Sequence, residues 1–252
     1  MTKSASVLVT GSAGRIGQAV VRELGEGIAR GFDRVPTPGI EDHVVGDLLD
    51  PAAVRRAMTG IDTVVHLAAT PDDVDKDVPN RLFPPNIVGV YNVFEAAKEA
   101  GVSRMILASS GQVVWYQRYR GPYPIDANVQ PTPRYWYAAT KMFLEAAGRA
   151  FHEAHDMSVI VVRLGWCPRD AGQVQQIHEE EFAQDVYLSP NDAGRFFACA
   201  VHAPETVRFE VVYATSKPVR QTPYDLEPTK RLLGFEPQEQ WPQGTEIVTG
   251  ES

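Results

Sequence analysis

The sequence predicts an α/β protein built on a doubly wound parallel sheet, and three observations carry that prediction. Short apolar runs alternate with stretches of helical spacing through the first 165 residues. A glycine-rich turn, Thr10-Gly11-Ser12-Ala13-Gly14-Arg15-Ile16-Gly17, separates the first apolar run from the first helical stretch. Beyond Gly165 the alternation gives way to polar, proline-rich sequence. Strands separated by helices need crossover connections, which make them parallel and cover both faces of the sheet. Right-handed crossovers then wind the sheet in the Rossmann manner. Residues 1–165 read as that Rossmann domain, and 166–252 as a small C-terminal lobe that also completes part of the sheet.

The elements follow in order. Val7–Thr10 is a buried strand. Ile16–Leu24 has helical spacing, with Ile16, Ala19, Val20 and Leu24 recurring on one face. Ile28–Asp33 and His43–Gly46 are brief strands. Pro51–Met58 is a short helix, with Asp50 as its cap and Pro51 in the first position. Thr63–Leu67 is the next strand. Asn86–Ala100 is a helix that sets Ile87, Val90, Tyr91, Phe94 and Ala97 on one face, and Gly101 ends it. Arg104–Ala108 is a strand bounded by a Ser109-Ser110-Gly111 turn. Tyr135–Ala154 is a long helix and Ser158–Arg163 the strand after it. Residues 166–190 read as irregular. A helix at Asp192–Val201 and a strand at Phe209–Tyr213 precede the lobe.

Composition narrows the class. Hydrophobic residues are 44% and charged residues 22%, a balance that supports a large core and excludes a disordered chain. The net charge of −8, with no basic patch, argues against nucleic acid as the main partner. Two cysteines, Cys167 and Cys199, are too few for a disulfide framework and suit a reducing cytoplasm. The apolar stretch Ala5–Thr10 is too short for a leader, and no run approaches the roughly 18 apolar residues of a membrane span. A cytoplasmic protein without a membrane or nucleic-acid partner is expected. His178 beside Glu179-Glu180-Glu181 reads as a solvated face, and no metal site is expected.

The glycine-rich turn carries the first functional signal. Gly11 suits a tight turn, Gly14 suits close approach of backbone to a pyrophosphate, and Gly17 suits close helix–strand packing. The helix that follows offers unpaired N–H groups, including those of Arg15 and Ile16, to an anion. Asp33 ends the second strand, where a carboxylate reaches the adenosine ribose hydroxyls. Dinucleotide binding is expected. A carboxylate repels a 2′-phosphate, so Asp33 favours NAD over NADP, while Arg15 and Arg34 are the residues that would serve a phosphate instead.

Tyr137 and Lys141 stand four residues apart on one helical face. An ammonium beside a phenol favours the phenolate. Tyr137 is thereby suited to take a proton from a hydroxyl or return it to a carbonyl. Ser110, at the end of the preceding strand, is placed to hydrogen-bond the reacting oxygen, although a serine there also suits a turn.

These residues resemble the short-chain dehydrogenase/reductase superfamily in its extended, epimerase/dehydratase-like branch. The likeness continues through Gly46-Asp47-Leu48, Asp62-Thr63-Val64-Val65-His66-Leu67-Ala68-Ala69, Asn86-Ile87-Val88-Gly89 and Leu232-Leu233-Gly234-Phe235-Glu236-Pro237. It implies that Asp47 and Leu48 lie by the adenine, and that Leu67, Ala68 and Ala69 line the phosphates and ribose. It implies Tyr137 as the proton-exchanging group, Lys141 as its activator on the nicotinamide ribose, and Asn86 as support for a proton relay. Cys167 would flank the nicotinamide, or else be a small buried residue.

Within that branch the chain is most similar to uronate dehydrogenases, in its length, in Arg163-Leu164-Gly165 followed by Cys167 and Pro168, and in its trimmed lobe. The positions aimed at substrate are Thr70, Ser110, Gln112, Trp166 and Arg169. Several depart from the resemblance. Ser-Asn-His becomes Ser110-Gly111-Gln112, two serines become Pro71 and Trp166, and the carboxylate-gripping arginine falls near Gly172. A neutral sugar or polyol therefore fits better than a uronate, with Arg169 or Arg134 as alternative sources of charge. The aromatic-rich stretch from Trp115 to Tyr123, with Tyr135-Trp136, reads as a pocket wall, a subunit contact or a loop packed on itself. The expected activity is NAD-dependent hydride transfer to or from a sugar-like CH–OH group. An epimerase or dehydratase with tightly held NAD, or a non-catalytic NAD-binding regulator, are the alternatives. A monosaccharide-sized ligand is expected from the small lobe, and a homodimer through the two long helices by analogy.

Overall fold

Seven parallel strands form one sheet in the order β3-β2-β1-β4-β5-β6-β7. The computed structural model describes residues 7–25, 27–71 and 77–246. Ala5 and Ser6 of the first apolar stretch lie outside them. The strands are β1 (Val7–Thr10), β2 (Ala29–Asp33), β3 (His43–Val45), β4 (Thr63–His66), β5 (Arg104–Ser110), β6 (Ser158–Leu164) and β7 (Phe209–Ala214). The chain order reverses between β1 and β4, which opens a crevice beyond their carboxyl ends. Every residue of β1 and β4 is buried, as apolar runs covered on both faces must be. Edge strand β3 stays largely exposed.

The helices are α1 (Arg15–Leu24), α2 (Pro51–Met58), α3 (Val90–Ala100), α4 (Tyr135–His155), α5 (Ala171–Glu179), α6 (Glu181–Asp185), α7 (Pro190–Val201) and α8 (Glu227–Leu233). Helices α1 and α7 cover one face of the sheet, where Val20, Phe196, Phe197 and Val201 pack on Val9, Ile106 and Val162. They approach so closely that a Cβ on Gly194 would meet the Ala19 carbonyl at 2.7 Å. Helices α2, α3 and α4 cover the other face through Val54, Met58, Phe94 and Leu144. The cap expected for α2 is present: the Asp50 carboxylate accepts from Ala52 N at 2.9 Å with Pro51 in the first position, a contact typical of about 1 kcal/mol.

Four expectations need correction. The helix expected at Asn86–Ala100 begins differently, with wide π-turns at Val78–Leu82 and Pro84–Gly89 ahead of α3. Pro84 and Pro85 have no N–H to give the i→i−4 ladder, so it widens. The Arg81 carbonyl that Pro85 would have bonded instead accepts from the Thr70 hydroxyl at 2.8 Å. Tyr91 is 60% exposed and so lies off the buried face. Strand β5 runs to Ser110 and pairs Ser109 and Ser110 with Arg163 and Leu164, so these serines are strand residues, not a turn. Residues 166–190 are not irregular but hold α5 and α6, which bury Ile177, Ala183 and Asp185. So sparse an apolar pattern left α5 without readable periodicity, though Asp170 caps it through Gln173 N at 2.8 Å.

Strand β7 and helix α7 belong to the sheet and its core, while α5, α6 and the segment after β7 stand over the crevice. Closing residues Leu233 and Phe235 pack into the α1–α7 face, with Phe235 edge-on to Phe196 at 5.5 Å. Gly234 turns the chain there at φ +69°, a left-handed C-cap that favours glycine.

Candidate active site

One cleft of about 1040 Å³ runs along the carboxyl ends of the strands. The glycine-rich turn lies at its base. Gly11 stands at φ +72°, and a Cβ on Gly17 would fall 2.2 Å from the Gly11 carbonyl, so neither position accepts a side chain. Gly14 is the residue before α1 and provides no side-chain cap. The first N–H groups of α1 are left for an anion. Asp33 braces the loop from β2: one carboxylate oxygen accepts from Ala13 N at 3.1 Å and the other from Arg34 N at 2.6 Å. Arg15 lines the cleft and donates to the Gly244 carbonyl at 2.8 Å. The Cys167 thiol lies near it, and burial outweighs that cation and pushes the thiol up to about 11, so it stays neutral.

The catalytic candidates sit at the other end. The Lys141 ammonium is buried, donates to the Ala108 carbonyl at 2.8 Å and lies 5.6 Å from the centre of the Tyr137 ring. Desolvation lowers its pKa to about 8. Beneath it His66 is held neutral, its pKa lowered to about 3 by burial and then by Lys141. Thr10 Oγ1 accepts from Ala68 N at 3.3 Å and bonds His66 Nδ1 at 2.8 Å. With a neutral imidazole as acceptor, the hydroxyl donates that bond. Ser110 ends β5, and its hydroxyl accepts from Gln112 N at 3.2 Å.

Helix α4 is fixed by two clasps. Asn86 holds both the N–H and the carbonyl of Thr70, at 2.8 and 3.0 Å, and donates to Thr140 Oγ1 at 3.1 Å. It lies behind the main cleft, with His66 and Lys141 beside it. The second clasp is a buried ion pair. Both Glu145 oxygens accept from Arg163, at 3.0 and 2.9 Å, and Ser109 donates to the same carboxylate at 2.6 Å. Bidentate pairs of this kind add geometric definition. Of the two adjacent serines, Ser109 is committed to structure and Ser110 to the cleft.

Apart from Asn86, every residue assigned from sequence to cofactor or substrate lines the one cleft. Asp47 and Leu48 reach it from the loop after β3. Leu67, Ala68, Ala69 and Thr70 reach it from the end of β4, and Trp166, Cys167 and Arg169 from the end of β6. Gln173 accepts from both Trp166 Nε1 and Arg169 N, at 3.3 and 3.0 Å.

Sequence reasoning missed other lining residues. Arg81, Arg118, Gln176, Glu180 and Tyr224 share the substrate end with Arg134. Glu179 and Glu181 are exposed as expected, whereas Glu180 lines the cleft and pairs with Arg118. Arg118 and Arg134 lie 4.4 and 4.2 Å from the Trp115 ring centre. The aromatic-rich stretch is therefore a pocket wall at Trp115. The only signal in the sequence was the density of aromatic residues and arginines there.

A glycine cradle at a topological switch point, an acid at the end of β2 and a helix that sets Tyr137 beside the buried Lys141 define a dinucleotide-dependent α/β enzyme. The chain matches the NAD dependent epimerase/dehydratase family over residues 7–166 and belongs to it. A NAD-dependent glucose-6-phosphate dehydrogenase of Haloferax volcanii is 33% identical over 92% of this chain and 93% of its own. An L-arabinose 1-dehydrogenase (NAD(P)(+)) of the same organism is 32% identical over 79% of this chain and 83% of its own. Among solved structures, a mutant uronate dehydrogenase from Agrobacterium tumefaciens complexed with NAD is 26% identical, with a TM-score of 0.72 over 93% of this chain and 85% of that one.

Proposed function

We propose that this chain is an NAD-dependent sugar dehydrogenase that oxidises a CH–OH group of a monosaccharide-sized substrate. The observation that carries this reading is one continuous cleft with the glycine cradle and Asp33 at one end and Ser110, Tyr137 and Lys141 at the other. The cradle fits NAD: a Cβ at Gly11 or Gly17 would close it, and Asp33 presents a carboxylate where NADP would need a cation. When bound, NAD supplies the ring that accepts the hydride. Tyr137 takes the hydroxyl proton, Lys141 stabilises the resulting phenolate, and Ser110 holds the reacting oxygen. Asn86 acts as a positioning residue that joins the end of β4 to α4. The relatives named for glucose 6-phosphate and arabinose support an aldose, and the small lobe of α5, α6 and the segment after β7 supports a single sugar ring.

A second reading concerns charge. Arg134, which lies over the Trp115 ring, lines the cleft among the described residues, and a guanidinium there favours a sugar bearing a phosphate or carboxylate over the neutral polyol expected from sequence. The free Cys167 and Cys199 support a reducing cytoplasm. We further propose a homodimer through α3 and α4.

The test is NADH formation across aldoses, aldose phosphates and uronates. Turnover of one class is expected, and Tyr137→Phe is expected to lower kcat by about 100-fold or more, the usual scale of general acid–base catalysis, while NAD still binds. Normal turnover by that variant would refute the assignment of Tyr137. Turnover of neutral sugars alone would refute the anionic substrate.

A further inference from the structure

We propose that Tyr224 is a specificity-determining residue, whose phenol hydroxyl bonds the sugar hydroxyl on the carbon next to the reacting one. The inference rests on the dehydrogenase reading above and deepens it.

Tyr224 comes from the segment after β7, far in sequence from the catalytic helix, yet it lines the cleft. It is 5% exposed, and the part of it that meets the cleft is the hydroxyl. A Cβ built on Gly111 would fall 2.4 Å from Tyr224 Oη, but 3.0 and 3.3 Å from Cζ and Cε2. The phenol thus fills the space that a side chain at position 111 would take. Gly111 directly follows Ser110, the residue assigned to the reacting oxygen. The Tyr224 hydroxyl thus reaches the cleft wall one residue beyond Ser110, a placement that suits the sugar oxygen next to the reacting one.

The hydroxyl is also held still. The Tyr224 ring stacks on Tyr213 at 4.4 Å with 3° between the planes. Tyr213 is itself fixed by Arg163, 3.4 Å from its hydroxyl. The Tyr224 backbone is bridged to Ile125, with Ile125 N donating to the Pro223 carbonyl at 2.7 Å and Asp225 N to the Ile125 carbonyl at 3.0 Å. Among the described residues, no protein hydrogen bond uses the Tyr224 hydroxyl. A buried polar group left unpaired is costly, and here the group opens onto the cleft where a ligand can satisfy it. Burial raises its pKa, so the phenol remains a neutral donor and acceptor, matched to a sugar hydroxyl. Rigid placement of a binding group is what gives a site its discrimination.

The experiment compares the wild type with Tyr224→Phe on D-glucose 6-phosphate and 2-deoxy-D-glucose 6-phosphate. Both are followed by NADH formation and by calorimetric binding to the protein–NADH complex. Removing one neutral hydrogen bond is expected to weaken binding about 10-fold. The wild type should prefer the 2-hydroxy sugar by about that factor in kcat/KM and in binding. Tyr224→Phe should lose the preference, mainly through KM for the 2-hydroxy sugar, with KM for NAD and the melting temperature unchanged. Gly111→Ala, whose methyl group displaces the phenol, should lose it as well. A variant that keeps the preference overturns the proposal, as does an equal loss for both sugars. Binding without NADH formation overturns the dehydrogenase reading, and the two binding constants still decide Tyr224. A wild type that binds neither sugar overturns the contact.

Discussion

At the scale of single residues, the proposed chemistry turns on Lys141. Its ammonium is buried against the Ala108 carbonyl and its pKa is lowered to about 8 by desolvation. Below that value it is charged and favours the Tyr137 phenolate; above it the favourable charge is lost. For sugar oxidation kcat/KM is therefore expected to stop rising with pH and to fall above about pH 8. A pH–rate profile checks this, and a rate that climbs steadily to pH 10 would show that Lys141 does not act through its charge. This pair was legible in the sequence because its chemistry lies within one helical turn, and so was the turn from Gly11 to Gly17. Tyr224 was not legible: it is an ordinary residue in its own segment, and only the return of the chain after β7 brings its hydroxyl against Gly111. Arg118 lies within the aromatic-rich stretch read as a possible pocket wall but was not singled out there, and Arg81 carried no signal of its own. Asn86 was legible as a motif position, but its role in clasping Thr70 and Thr140 depends on contacts that no spacing reveals.

At the scale of elements, α3 and α4 each leave a large apolar side chain exposed among the described residues. Tyr91 on α3 is 60% exposed and Phe143 on α4 38%, with Val88 in the π-turn ahead of α3 exposed at 50%. Exposed apolar side chains on two neighbouring helices suit an interaction surface, and the proposed homodimer would cover them with a second copy of the same face. Light scattering is expected to give twice the mass of the chain for the wild type and the single mass for a Tyr91→Glu, Phe143→Glu double variant. A monomeric wild type would reject the homodimer. The sequence placed Tyr91 on the buried face because helical spacing was counted from Asn86. Val90, Phe94 and Ala97 are buried as that spacing expects, and Tyr91, at the margin of the face, turns outward. A different cause hid α5, whose buried face is reduced to Ile177 and so shows no period.

At the scale of the whole molecule, one buried imidazole couples the catalytic cleft to the stability of the sheet. His66 ends β4 at the centre of the sheet, bonds Thr10 of β1 and lies against Lys141 of α4. Its folded pKa of about 3 lies below the 6.5 of an ordinary histidine. Between those values the unfolded chain binds a proton that the folded chain refuses. Its contribution to stability is therefore constant above pH 6.5 and is lost as pH falls through the window toward 3. The slope is roughly 1.4 kcal/mol per pH unit, a sizeable share of a typical folding free energy of about 5–15 kcal/mol. Urea unfolding at pH 6.5 and pH 5 is expected to show a loss of about 2 kcal/mol from this group. His66→Asn offers Thr10 an amide oxygen in place of Nδ1 and has no proton to gain. It is expected to be less stable at neutral pH, because a smaller side chain leaves a void, yet to lose about 2 kcal/mol less than the wild type between the two pH values. The difference in slope is the readout, since a purely structural defect would lower both curves equally. Parallel curves would mean that protons enter the protein elsewhere, and that burial and Lys141 do not keep His66 neutral.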